Sequence, residues 1–239
     1  EARLIMAADK NILKPGNGEP VVSPRQDVVL GSYWMTRIQK GAKGEDKYFS
    51  SPNSAILAFD FGVVDLRAKI QVLPSSTERY KQFEDKLFET TVGRLLFNSV
   101  LPKEYPFINQ EIGRKKMAEL IDDLLEKYGI EDLPAIIDRI KAFGFKYSTY
   151  SGITWSLGDV KIPPGKETLI EKGRAKVNEV IAQYQEGLLS EDERIARSVE
   201  IWQGVKSEIE KIIPETLKTD NPIYDIIHSE ARGSFGNLN

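Results

Sequence analysis

The chain has 239 residues, 41% of them apolar, and a net charge of −3, so it can build a sizeable core but has too little positive charge to hold nucleic acid alone by phosphate neutralisation. Cysteine is absent and His228 is the only histidine, which excludes disulfides and thiolate metal sites and leaves a histidine cluster or a Ser-His-Asp triad almost no basis. No apolar run approaches the roughly 20 residues needed to cross a bilayer, and the first residues do not read as a signal peptide, so a cytoplasmic location and no membrane partner are expected.

Glu1 to Ala8 reads as helical, with Leu4 and Ile5 apolar and no capping residue ahead. With the polar end Gly236-Asn237-Leu238-Asn239, this suggests a piece of a longer polypeptide. Asn11 to Gln26 is rich in Pro and Gly and reads as a loop. Its Asn17-Gly18-Glu19-Pro20 segment is a plain turn, with a ligand loop as the alternative. Asp27 to Arg37 carries Val28, Val29, Tyr33 and Trp34 and is expected as a short helix. Lys47 to Phe49 is a candidate strand.

Ser51-Pro52 opens a helix, with Ser as cap and Pro at the first helical position, and Gly62 closes it. Ala68 to Val72 alternates apolar and polar residues, the mark of a half-buried strand. Pro74 to Lys86 is polar and expected as a connecting turn. Phe88 to Leu96 runs into a short helix through Thr90-Thr91-Val92-Gly93-Arg94. Two stronger helices follow, Gly113 to Tyr128 ended by Gly129 and Leu133 to Phe143 ended by Gly144. Phe145 to Leu157 is aromatic and rich in Ser and Thr, and Asp159 to Pro164 is a candidate strand. Paired Asp122-Asp123 are expected to face solvent, and His228, on a short helix from Ile223, to be packed or on the surface.

Lys166 to Pro214 has the strongest pattern. Ile170, Val177 and Tyr184 recur every seven residues on one arm, and Ile195, Trp202 and Ile209 on the other. A strict seven-residue repeat is a narrow seam of the coiled-coil kind, expected to bury Val177, Val180, Trp202 and Val205 against each other. Gly187 is placed to end the first arm in a left-handed turn, and Ser190 with Glu193 is a capping box for the second. Leu188 and Leu189 sit at the tip, where the seam has room for one of them, ringed by Glu186, Glu191, Asp192 and Glu193, with Arg194 alongside.

The fold class expected is α+β, mainly α: a mixed body with short strands over residues 1–162, a protruding antiparallel two-helix coiled coil over 163–219, and a segment over 220–239 that returns to the body. Near the end, Arg232-Gly233-Ser234 is either an ordinary polar turn or a loop that offers a guanidinium and backbone N–H groups to a phosphate. No Walker loop, dinucleotide fingerprint or metal quartet is present. Composition and spacing give no reaction.

Several ordered blocks together resemble the largest catalytic subunit of bacterial RNA polymerase, the β′ subunit. They are Asn11-Ile12-Leu13 with Asn17 to Pro20, Ser23 to Gly31, Tyr33 to Arg37, Thr90 to Arg94, Leu101-Pro102 with Pro106-Phe107, Gly144-Phe145 and Ser151 to Ile153. Tyr184 to Leu189 with Glu193-Arg194, Asn221 to Tyr224 and Ala231 to Ser234 continue the series.

The resemblance implies the part of a nucleotidyltransferase that lines its secondary channel, with the hairpin as the rim coiled coil. Its tip, Glu186, Leu188, Leu189, Glu191, Asp192 and Arg194, would dock Gre-type cleavage factors and DksA-like regulators. By position Arg232 matches an arginine that faces incoming nucleotide phosphates, and Gln26 a glutamine near the active centre. Glu230 departs from the family, which usually has glycine there. The aspartate loop that holds catalytic magnesium would lie upstream of Glu1, and the bridge helix and trigger loop downstream of Asn239. The chain would thus hold no cofactor and no catalytic residue and be inactive alone. Its partners would be the β, α, ω and sigma subunits, with DNA and RNA only in the full complex. A free-standing helical adaptor that scaffolds proteins through its coiled coil is the competing expectation.

Overall fold

A computed structural model describes residues 1–217 and 221–234; the first residue of the expected returning segment, Asp220, and the polar end from Gly236 lie outside the described residues. Residues 1–153 with 228–232 form one compact unit, and the described residues of 154–227 with 233–234 a second. The architecture is α+β and mainly α, with one small sheet.

In the first unit the expected N-terminal helix is reduced to two single turns, Ala2–Met6 and Ala8–Lys10, with no buried residue. No side chain caps Ala2–Met6, and Leu4, Ile5 and Met6 are exposed, so neither capping nor burial sustains a longer helix. The 11–26 loop folds on itself through an antiparallel bridge between Leu13 and Pro20. Helix α1 (Asp27–Thr36) is apolar on nearly every side and buries Val28, Val29, Leu30, Tyr33 and Met35, as an internal helix must.

Strand β1 (Tyr48–Phe49) precedes α2 (Pro52–Asp60), which starts as expected. The Ser51 hydroxyl accepts from the Ser54 N–H at 3.1 Å and the Ser54 hydroxyl accepts from the Ser51 N–H at 3.1 Å. Strand β2 (Ile70–Val72) is central, parallel to β1 and antiparallel to β3 (Phe88–Thr90), with Val72 opposite Phe88. Its Ile70 and Val72 face the core, as the alternation implied. The presumed plain turn before β3 contains a helical turn, Glu78–Phe83. There Tyr80 is buried and Phe83 stacks on Phe88 with ring centres 3.9 Å apart. The residues expected to lead straight into a helix instead form β3 first, and α3 (Val92–Ser99) starts at Thr91, whose hydroxyl accepts from the Arg94 N–H at 3.1 Å.

Helix α4 (Arg114–Ser151) is interrupted only at Gly129, which takes a non-helical φ of 73°. Gly144 does not end it; Gly152, at φ 61°, does. Gly144 lies instead where α1 crosses α4. A Cβ on Gly31 would stand 2.0 Å from the Gly144 carbonyl oxygen, and one on Gly144 would stand 2.6 Å from the Val28 Cα. Both glycines let the two backbones touch. The core around this crossing includes Met35, Phe97, Met117, Ile121, Leu133 and Ile140.

In the second unit the expected strand at Asp159 to Pro164 is absent; a helical turn, Leu157–Asp159, precedes irregular chain. Helices α5 (Lys166–Gln185) and α6 (Glu191–Thr216) then pack as an antiparallel hairpin. Helix α6 runs through Pro214. On α5 the inward residues are Ile170, Gly173, Val177 and Val180, as the repeat indicated, but Tyr184, its last member, is 38% exposed. On α6 the inward row is Ser198, Ile201, Val205 and Ile209; Val205 and Ile209 are where the repeat put them, whereas Ser198 and Ile201 take the places expected of Ile195 and Trp202, which are 46% and 38% exposed. Trp202 still flanks the seam: its ring lies 3.3 Å from where a Gly173 Cβ would be. Ile209, Ile213 and Leu217 pack with Ile223 and Ile227 of α7 (Pro222–His228). The Asn221 side chain caps α7 by accepting the Ile223 N–H at 2.9 Å.

Candidate functional site

The hairpin tip is built from local rules at both helix ends. Gly187 takes φ 76°, its N–H donates to the Tyr184 carbonyl at 3.0 Å, and the Leu188 N–H donates to the Gln183 carbonyl at 2.9 Å. This pair of bonds closes α5 and turns the chain sharply. The Ser190 N–H donates to the Glu193 carboxylate at 2.8 Å, and the Glu193 N–H to the Ser190 hydroxyl at 3.3 Å, which starts α6. The Ser190 backbone N–H, and then its hydroxyl, hold the Glu193 carboxyl below the usual carboxylate range.

This framework sets the tip side chains. Leu188 is 68% exposed and Leu189 half-buried. Glu186, Glu191 and Asp192 are exposed around them. The Arg194 guanidinium lies over the Tyr184 ring at 5.3 Å and 3.8 Å from the Glu191 carboxylate, so it braces the tip from within. The tip therefore presents one apolar knob on a fixed turn inside an acidic rim.

Gln26 and Arg232 are both exposed. Gln26 precedes α1 with a φ of 50° and a ψ of −120°, a sparsely populated conformation for a residue with a side chain. Arg232 follows a turn anchored on α4, where the Ser229 carbonyl accepts the Arg114 N–H at 2.9 Å. Glu230, within that turn, sits at φ 56°, which glycine adopts freely and glutamate only at a cost of about 1 kcal/mol. The backbone thus supplies a physical reason for the glycine expected at that position. His228 is engaged through Nδ1 with the Tyr33 hydroxyl at 3.0 Å. Asp122 is exposed as expected, whereas Asp123 is half-buried and accepts from the Tyr105 hydroxyl and, at 2.9 Å, from Lys127.

The chain neighbours of Gln26 and Arg232 meet in one place. Arg25 and Glu230 line a cleft of about 450 Å³ together with Lys14, Arg114 and Lys115. Lys14 is paired with Glu19 at 2.9 Å. The basic residues of this cleft escaped the sequence reading. The signal was there in Arg114-Lys115-Lys116, three cations in the first turn of a helix, where the helix dipole disfavours them. Among the described residues no group of three or more His, Cys, Asp or Glu side chains could hold a metal ion. Among them, too, no helix is long and apolar enough to cross a membrane.

Residues 11–160 match the family model described as RNA polymerase Rpb1, domain 3, and the chain belongs to that family. More particularly, it resembles bacterial β′ subunits. It is 38% identical to the DNA-directed RNA polymerase subunit beta′ of Thermobifida fusca over 98% of this chain and 19% of that protein. It is 39% identical to the subunit of Saccharopolyspora erythraea, over 98% of this chain and 19% of that protein. With the Bacteroides fragilis subunit it shares 37% identity, over 98% of this chain and 17% of that protein. The chain spans about a fifth of the length of the curated relatives it matches.

Proposed function

We propose that the chain is a working part of a cytoplasmic DNA-directed RNA polymerase: it lines the secondary channel through which nucleotides enter, and its hairpin docks the factors that use that channel. In this reading Arg232 faces incoming nucleotide phosphates and Gln26 lies near the active centre. The catalytic magnesium belongs to other parts of the enzyme, and the chain alone is inactive. Its partners are the β, α, ω and sigma subunits. Gre-type cleavage factors and DksA-like regulators bind at Glu186, Leu188, Leu189, Glu191, Asp192 and Arg194.

One observation carries the docking proposal: Leu188 is 68% exposed on a turn whose two ends are both fixed by hydrogen bonds. A large apolar side chain held rigidly in solvent, with charges around it, has the anatomy of a transient interface. The anchor governs how long a complex lasts and the acidic rim how often it forms.

Binding of a Gre-type factor to the immobilised chain, followed at two salt concentrations, separates the two. Leu188→Ala is expected to raise the off-rate about tenfold and leave the on-rate unchanged. Reversing Glu191 and Asp192 to Lys is expected to lower the on-rate, with the difference shrinking at high salt. Native binding by both tip variants, with loss on changing Gln26 or Arg232 to Ala, would move docking to the first unit.

A further inference from the structure

The turn that carries Arg232 is held at two successive residues. The His228 ring meets the Tyr33 hydroxyl through Nδ1 at 3.0 Å, with the ring centres 5.7 Å apart. Next along the chain, Ser229 is buried and its carbonyl accepts the Arg114 N–H at 2.9 Å. Gly113 leaves room for this approach, since a Cβ there would stand 3.2 Å from the same carbonyl oxygen. The Ser229 hydroxyl accepts the Ala231 N–H at 3.2 Å, which carries the hold one step nearer Arg232.

Both anchors reach packed helices. Tyr33 is buried on α1, the helix whose backbone touches that of α4 through Gly31 and Gly144. Arg114 is the first residue of α4. Gln26 immediately precedes α1, so the Tyr33 bond ties the Arg232 turn to the helix that Gln26 introduces. Between the anchors and Arg232 lies Glu230 at φ 56°. A residue with a side chain keeps such a conformation only where its surroundings enforce it. The turn is held in place and does not rest there by its own preference.

Granting Arg232 the nucleotide-phosphate role proposed above, on which this rests, we infer that the Tyr33–His228 pair is its positioning device. Neither residue touches the nucleotide. The pair fixes where the Arg232 guanidinium stands before the nucleotide arrives. A guanidinium already in place loses less freedom on binding, so the pair strengthens nucleotide affinity. Without the Tyr33 bond the strain at Glu230 relaxes and the Arg232 backbone shifts. Binding then suffers and the chemical step does not, so KM rises while kcat at saturation stays.

The test is single-nucleotide addition by RNA polymerase assembled on the gene's full-length product, on a preformed primer–template scaffold. KM and kcat for the nucleoside triphosphate are measured separately. Tyr33→Phe removes the hydroxyl and keeps the ring; it is expected to raise KM about fivefold with kcat unchanged. His228→Leu should do the same. His228→Asn, whose amide branches from the same Cγ as the imidazole Nδ1, should restore most of the native KM. Arg232→Ala should raise KM by at least as much, and adding Tyr33→Phe to it should change nothing further. Simple damage to the fold would instead lower kcat, through the fraction of active enzyme, and leave KM alone. A native KM in Tyr33→Phe beside a raised KM in Arg232→Ala would overturn the positioning role and leave the role of Arg232 intact. So would a Tyr33→Phe effect that persists in full when Arg232 is already alanine. A native KM in Arg232→Ala would overturn both, since the pair would have nothing to position.

Discussion

Gly31→Ala should cost the first unit about 3 kcal/mol or more, at the upper end of what overpacking does. Its added Cβ would lie 2.0 Å from the Gly144 carbonyl oxygen and 2.6 Å from the Ser148 N. Both are backbone atoms, so no flexible side chain can swing aside. Helix α1 has to back away from α4, and the buried row Val28, Ser32, Met35 and Thr36 loses contacts with it. Domains of this size are stable by only about 5–15 kcal/mol, so the loss is a large share. Urea unfolding followed by Trp34, with Trp155 and Trp202 replaced by Phe, reports on the first unit separately. A midpoint within about 1 kcal/mol of the native value would show that the crossing tolerates separation.

Arg94→Ala should be of similar size for a different reason. Its side chain is buried, its Nε donates to the Thr36 carbonyl at 2.8 Å, and one terminal nitrogen donates to the Asn109 carbonyl and side-chain oxygen, each at 3.1 Å. The Thr36 hydroxyl in turn accepts the Ile112 N–H at 2.9 Å. One guanidinium thus joins the end of α1, α3 and the approach to α4. Burial pulls its pKa down, yet it remains charged at neutral pH. Hydrogen bonds from a charged group contribute about 1.5–3 kcal/mol each, and truncation also leaves a void, so a loss of about 3–5 kcal/mol is expected. Arg94→Lys should recover only part, because a point charge cannot reach both carbonyls. Full recovery by lysine in the same unfolding assay would mean that charge, not the fork, does the joining.

Where a sequence signal is local and has one meaning, it was legible. Ser51-Pro52 gave a helix start, Gly187 a stop, and Ser190 with Glu193 a start, because capping depends on neighbours in the chain. Glycine inside an apolar helix has two meanings. Gly144 read as a terminator, yet it serves close packing that only the tertiary crossing reveals. The Glu78–Phe83 turn was hidden by its polar residues, although Tyr80 and Phe83 anchor it against Phe88 and Phe107. In the hairpin, the largest apolar residues, Ile195 and Trp202, drew the seam toward themselves. Helix geometry puts Ser198 and Ile201 there instead, because the seam is set by which face meets the neighbour, not by residue size. Of the candidate sites, the tip was legible as a local structure. The charged cleft, which gathers Lys14, Glu19 and Arg25 of the 11–26 loop with Arg114, Lys115 and Asp122 of α4 and with Glu230, was not.

The central proposal is that this chain serves a polymerase through its hairpin tip. The most direct measurement is factor-stimulated transcript cleavage by RNA polymerase assembled on the gene's full-length product, native or carrying Leu188→Ala with Leu189→Ala. The expected result is cleavage reduced at least about tenfold, with factor-free elongation unchanged. Cleavage at the native rate, or elongation lost along with it, would contradict the proposal.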